Sequence, residues 1–113
     1  MAKELECPKC VATALDSKDV NGVALDECPS CGGRWYDFSE LSRCVKDPAK
    51  FDEAVRGGPL KPRAGTALCP RCGKAMVNGG VVSEFLRADL CAGCRGMWLD
   101  KNEIELVDRL LAA

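Results

Sequence analysis

The sequence contains no histidine, the commonest general base and the commonest nitrogen ligand for a metal. Any metal site must therefore use sulfur or carboxylate. Aromatic residues are few: three Phe, two Trp and one Tyr in 113 residues. A half-length unit of about 50 residues so poor in large side chains cannot bury enough apolar surface to offset its chain entropy unaided. A covalent or metallic staple is needed in each half. No apolar run approaches the roughly 20 residues that cross a bilayer, which argues against a membrane span. The opening Met-Ala-Lys-Glu-Leu-Glu lacks the apolar core and cleavage site of a secretory signal. A cytoplasmic location is expected, and the disulfide framework of small secreted proteins loses its compartment.

Nine cysteines stand against these absences. Eight fall into four Cys-x-x-Cys pairs, Cys7/Cys10, Cys28/Cys31, Cys69/Cys72 and Cys91/Cys94, a spacing that recurs in zinc sites. The segment Cys28-Pro-Ser-Cys-Gly-Gly-Arg-Trp-Tyr-Asp-Phe-Ser-Glu-Leu41 returns as Cys91-Ala-Gly-Cys-Arg-Gly-Met-Trp-Leu-Asp-Lys-Asn-Glu-Ile104. A shift of 63 aligns both cysteines, Gly33 with Gly96, Trp35 with Trp98, Asp37 with Asp100 and Glu40 with Glu103. A shift of 62 aligns the leading pairs, Cys7-Pro-Lys-Cys10 with Cys69-Pro-Arg-Cys72, so the second copy carries one extra residue between its pairs. The chain divides into a first module with a helical extension over 1–56, a linker over 57–66 and a second module over 67–113. Three Gly and two Pro within 57–65 make that linker read as irregular.

Between the two pairs of each copy lie 17 and 18 residues, enough for two short strands and a turn. Asn21-Gly22 is a hairpin signal between 13–20 and 23–27, and Asn78-Gly79-Gly80 plays that part before 81–90. After each second pair, Asp37-Phe-Ser-Glu40 and Asp100-Lys-Asn-Glu103 have the form of a helix N-cap with a reciprocating Glu. Tyr36 with Leu41, and Leu99 with Ile104, would staple the caps. The first helix should start near 38, break at Lys46, restart behind Asp47-Pro48 and stop at Gly57-Gly58. The last should run over about 101–111, with Ile104, Leu106, Val107, Leu110 and Leu111 as its apolar stripe, packed on its own module or serving a homodimer or partner.

A Cys-x-x-Cys turn presents two sulfurs to one ion, and two turns at the ends of a hairpin complete a tetrahedron at about 2.3 Å per Zn–S bond. Soft thiolates without oxygen or nitrogen ligands favour zinc or iron over magnesium or calcium. Pro8, Pro29 and Pro70 follow a leading cysteine and pre-set φ, while Gly32 and Gly73 follow a trailing one and permit positive φ. Val11 and Arg95 stand where the other two glycines would be. Local pairing, Cys7, Cys10, Cys28 and Cys31 for one Zn²⁺ and Cys69, Cys72, Cys91 and Cys94 for a second, closes shorter loops than crossed pairing. Rubredoxin-like iron binding is the alternative, weakened because only two turns keep the trailing glycine. Thiol–disulfide exchange needs one exposed pair rather than four.

The remaining residues read as structural. Cys44 aligns with Val107 and reads as a small buried hydrophobe. Asp37, Glu40, Asp100 and Glu103 resemble paired catalytic carboxylates but suit capping, and no nucleophile accompanies them. No catalytic site is expected. Trp35 and Trp98, four residues past the last ligand, are expected to pack over the metal sites rather than stack bases.

These residues resemble the transcription factor IIB-type zinc-finger family of small bacterial and archaeal proteins, with its leading Cys-Pro-x-Cys and its Cys-Pro-x-Cys-Gly-Gly-x-Trp-Leu-Asp-x-Gly-Glu-Leu. The first copy departs at Tyr36 and Ser39, the second at Ala92, Arg95, Asn102 and Ile104. The resemblance implies a small metal-stabilised α+β chain of two tandem zinc ribbons. Each is a β-hairpin with a four-cysteine zinc site followed by a helix, and the eight paired cysteines are the ligands. It supplies no function.

Formal net charge is −1, and eight thiolates with two Zn²⁺ take it about four units lower. An acidic chain is a poor general DNA binder. Yet 54–83 holds no acid and five bases, Arg56, Lys61, Arg63, Arg71 and Lys74, between acidic ends. The expectation is a zinc-binding adaptor for a protein partner. Nucleic-acid binding through the basic centre is the alternative.

Overall fold

The computed structural model describes residues 5–20, 22–37 and 39–112. The first hairpin joins β1 (Asp16–Val20) to β2 (Val23–Glu27). Gly22 turns it at φ +83°, its amide donating to Asp19 Oδ1 at 2.9 Å. Asn21, the other half of the expected turn signal, lies outside the described residues. Strand β3 (Arg34–Tyr36) pairs with β2, and α1 (Glu40–Cys44) and α2 (Pro48–Val55) follow. The expected break and restart between these helices is present. Asp47 Oδ1 accepts the Lys50 amide at 3.1 Å with Pro48 in the first turn, while the Lys46 amide leaves the helix to donate to Asp108 at 2.9 Å. The expected start near 38 falls on a residue outside the described set.

The linker expectation is corrected. Gly57-Gly58 do end α2, with Gly58 at φ +87° and its amide on the Val55 carbonyl at 3.0 Å, but 60–68 is a strand, β4 (Leu60–Leu68), paired with β5 (Ala75–Val81). Proline is tolerated because β4 is an edge strand, and its register shifts between Leu60 and Arg63. The Arg87 guanidinium gathers this segment in, donating to the carbonyls of Leu60 and Lys61 at 3.1 and 2.7 Å.

The second hairpin is also corrected. Strand β5 runs straight through Asn78-Gly79-Gly80, and the turn into β6 (Ser83–Leu90) falls at Val82, φ +66°. The glycines serve close approach instead. A Cβ on Gly79 would lie 2.4 Å from Pro59 Cβ, and one on Gly80 2.7 Å from the Glu84 Cα. Asn78 is used by Arg87, whose Nε donates to its Oδ1 at 3.0 Å. Strand β7 (Met97–Leu99) and α3 (Glu103–Ala112) complete the chain.

Among the described residues, seven strands form one antiparallel sheet in the order β1-β2-β3-β7-β6-β5-β4. The two copies therefore join at the middle, where β3 pairs with β7 and Trp35 stands opposite Trp98. Because side chains alternate across a sheet, each Trp and its successor part company. Trp35 and Trp98 enter a core with Cys7, Cys28, Cys69 and Cys91. Tyr36 and Leu99 enter a second core beneath the helices, with Leu25, Leu41 and Phe51 from the first copy and Leu86, Val107 and Leu111 from the second. Both cores draw on both copies.

Candidate metal centres

Four tight turns hold the cysteines. The amide of Cys28 donates to the Gly33 carbonyl at 2.9 Å, that of Cys69 to Lys74 at 2.8 Å and that of Cys91 to Gly96 at 3.0 Å. The amides of Gly32, Gly73 and Arg95 return to the carbonyls of Cys28, Cys69 and Cys91, with positive φ at all three. Arg95 thus takes the backbone shape of glycine. The first turn differs: positive φ falls on Ala12 rather than on Val11, and Val11 stands 95% exposed. Each turn aims an amide at its leading sulfur, from Lys9, Cys31, Cys72 and Cys94 to Cys7, Cys28, Cys69 and Cys91, at 3.3 to 3.4 Å.

The eight sulfurs gather into two groups, Cys7, Cys10, Cys28 and Cys31, and Cys69, Cys72, Cys91 and Cys94, with the ligand atoms of each within 4.8 Å of one another. Three of the edges are 3.8 Å for Cys7–Cys31, 3.9 Å for Cys10–Cys28 and 3.5 Å for Cys69–Cys94. A tetrahedron with Zn–S arms of about 2.3 Å has S···S edges of roughly 3.8 Å. Each group can hold one Zn²⁺, two per chain.

The thiols also carry the electrostatic mark of such a site. Burial opposes ionisation of Cys28, yet amides of Cys31 and Ser30 outweigh it and lower its pKa to about 7. Cys91 falls to about 7 in the same way, through Cys94 and Gly93. Burial pushes Cys7 up to about 12 and raises Cys10, Cys69 and Cys94, while Cys72 is raised chiefly by its hydrogen bond with Cys91. Four crowded thiols do not all ionise unaided; a bound dication reverses that balance.

The tryptophans are 0% and 1% exposed and interlock across the copies. A Cβ on Gly33 would lie 2.3 Å from Trp98 Cζ2, and one on Gly96 2.1 Å from Trp35 Cζ2. The capping expectation is corrected here. Glu40 and Glu103 do reach back to the amides of Asp37 and Asp100, each at 2.7 Å, but the two Asp carboxylates accept the indole N–H of Trp35 and Trp98, at 2.8 and 3.1 Å. They orient the tryptophans rather than cap a helix. The helices start later, at Glu40 and Glu103, because Ser39 and Asn102 hold left-handed backbone at φ +73° and +67°.

Of the basic segment, Arg71 is taken up. Its Nε and Nη2 fork onto the Asp37 carboxylate, the latter at 2.6 Å, with Asp26 at 3.8 Å. Lys61 pairs with Glu84 at 3.0 Å, whereas Arg56, Arg63 and Lys74 are exposed. A matching pair escaped the sequence reading: Lys9 meets the buried Asp89 at 2.7 Å. The repeat aligns Lys9 with Arg71 and Asp89 with Asp26, so the two cations occupy equivalent positions, and the structure shows which acids they meet. Cys44 is half-buried against the helix-side core.

The transcription factor zinc-finger family matches residues 6–47 and 68–109. No curated protein and no solved structure matches the chain.

Proposed function

The chain belongs to the transcription factor zinc-finger family, carrying its module twice, and from that premise we propose that it is a non-enzymatic adaptor that presents a zinc-stapled surface to a protein partner. One observation carries the reading: Phe85 stands 88% exposed beside the β5–β6 turn, on a hairpin anchored to the metal-side core through Met76. A large aromatic in water on a rigid support is a contact point for another protein. Leu106 and Leu110, exposed on α3, add a second apolar patch.

The nucleic-acid alternative loses support on two counts. Base stacking would need an exposed tryptophan, and both are enclosed. Arg71 neutralises Asp37 within the chain, which leaves fewer bases to track a phosphate backbone. Capture from native cytosol with the parent and Phe85→Ser, with and without nuclease, tests the proposal. Nuclease-resistant partners lost in Phe85→Ser support it. Partners released by nuclease, or salt-dependent oligonucleotide binding tighter than about 10⁻⁴ M, would replace it with the nucleic-acid reading.

A further inference from the structure

We propose that the two zinc sites load as a unit, an ion at either one raising the affinity of the other. The proposal goes beyond the adaptor reading and stands independently of it. Its basis is that each cysteine turn is held in place by the other copy. Gly33, two residues past Cys31, is the floor on which Trp98 lies, and Gly96, two residues past Cys94, is the floor for Trp35. Neither tryptophan can keep its position if the opposite turn loosens.

The leading turns add a second, reciprocal link. Lys9 sits between Cys7 and Cys10 and reaches Asp89 on β6 of the second copy at 2.7 Å, a carboxylate with 7% of its side chain exposed. Arg71 sits between Cys69 and Cys72 and forks onto Asp37 of the first copy. The same position of each turn thus pairs with an acid of the opposite copy. An ion that orders Cys7, Cys10, Cys28 and Cys31 also positions Lys9 and Gly33, the groups the second copy packs against. The converse holds through Arg71 and Gly96. Coupling of this kind is reciprocal by linkage.

The test is a zinc titration of the full-length, metal-free, reduced chain, followed by native mass spectrometry. For equal intrinsic sites without coupling, about half the chains carry one ion at one zinc per chain. Coupling in the usual range of about 5- to 150-fold leaves roughly 8 to 31% in that state. The one-zinc fraction should fall in that range, and should rise toward half in Asp89→Asn while saturation stays at two ions. In Cys91→Ser/Cys94→Ser, affinity of the first site should fall about 2- to 12-fold below the half-saturation affinity of the parent, the square root of the same coupling factor, read by competition with a chromophoric chelator. A one-zinc fraction of half or more in the parent, or a first site in the double variant within about twofold of parent affinity, would overturn the proposal.

Discussion

Gly33 and Gly96 bear no side chain because the tryptophan of the opposite copy occupies the space where one would stand. Gly96→Ala should therefore destabilise the zinc-loaded protein by about 1–3 kcal/mol through overpacking, read as a lower urea midpoint with unchanged slope. Ser39 and Asn102 show the opposite relation. Each holds left-handed backbone in the place where the family pattern has glycine, a conformation that costs a non-glycine residue about 1–2 kcal/mol, partly offset by the entropy that glycine loses on folding. Ser39→Gly should stabilise by about 0.5–1 kcal/mol, seen as a raised Tm. Cys44 lies away from both sulfur groups, so Cys44→Ala should retain two zinc ions per chain by elemental analysis.

Among the elements, α3 is secured by Val107, fully buried in the helix-side core, and by Leu111. Its stripe is narrower than periodicity alone indicates, since Leu106 and Leu110 face solvent. Val107→Ala removes two methyl groups and leaves a cavity, a loss of about 2 kcal/mol. Leu106→Ser should change stability by less than about 0.5 kcal/mol. Thermal melts of the two variants would separate the packed side of the helix from the presented one. The asymmetry between the copies also belongs to this scale. Among the described residues, only the second carries an outer strand, β4, which makes an edge of the segment that composition marks as a linker.

At the scale of the whole molecule, each core is assembled from both copies and one of them contains the cysteines, so metal binding and folding are one process. Structural zinc in small peptides contributes about 10–16 kcal/mol at neutral pH, comparable to or larger than the stability of an ordinary domain. A strong chelator should unfold the entire chain, with amide dispersion lost from both copies together. Survival of that dispersion after complete zinc removal would show that the cores stand without metal.

What the sequence determined by itself was local in the chain. Cysteine spacing, the proline and glycine of the turns, the Asp47-Pro48 restart and the reciprocating glutamates act over a few residues, and the internal repeat made the two sites and their module legible. Gly79-Gly80 misled because glycine for turning and glycine for close contact leave the same mark in a sequence. Pairing of β3 with β7, the exchange of tryptophans and the Lys9–Asp89 and Arg71–Asp37 contacts were decided by tertiary structure alone. Residues such as Trp35 and Gly96 stand 61 apart in the chain, and no local preference acts over that distance. They meet because the free edge of each short strand pairs with its repeat and each indole packs on the glycine of the opposite copy.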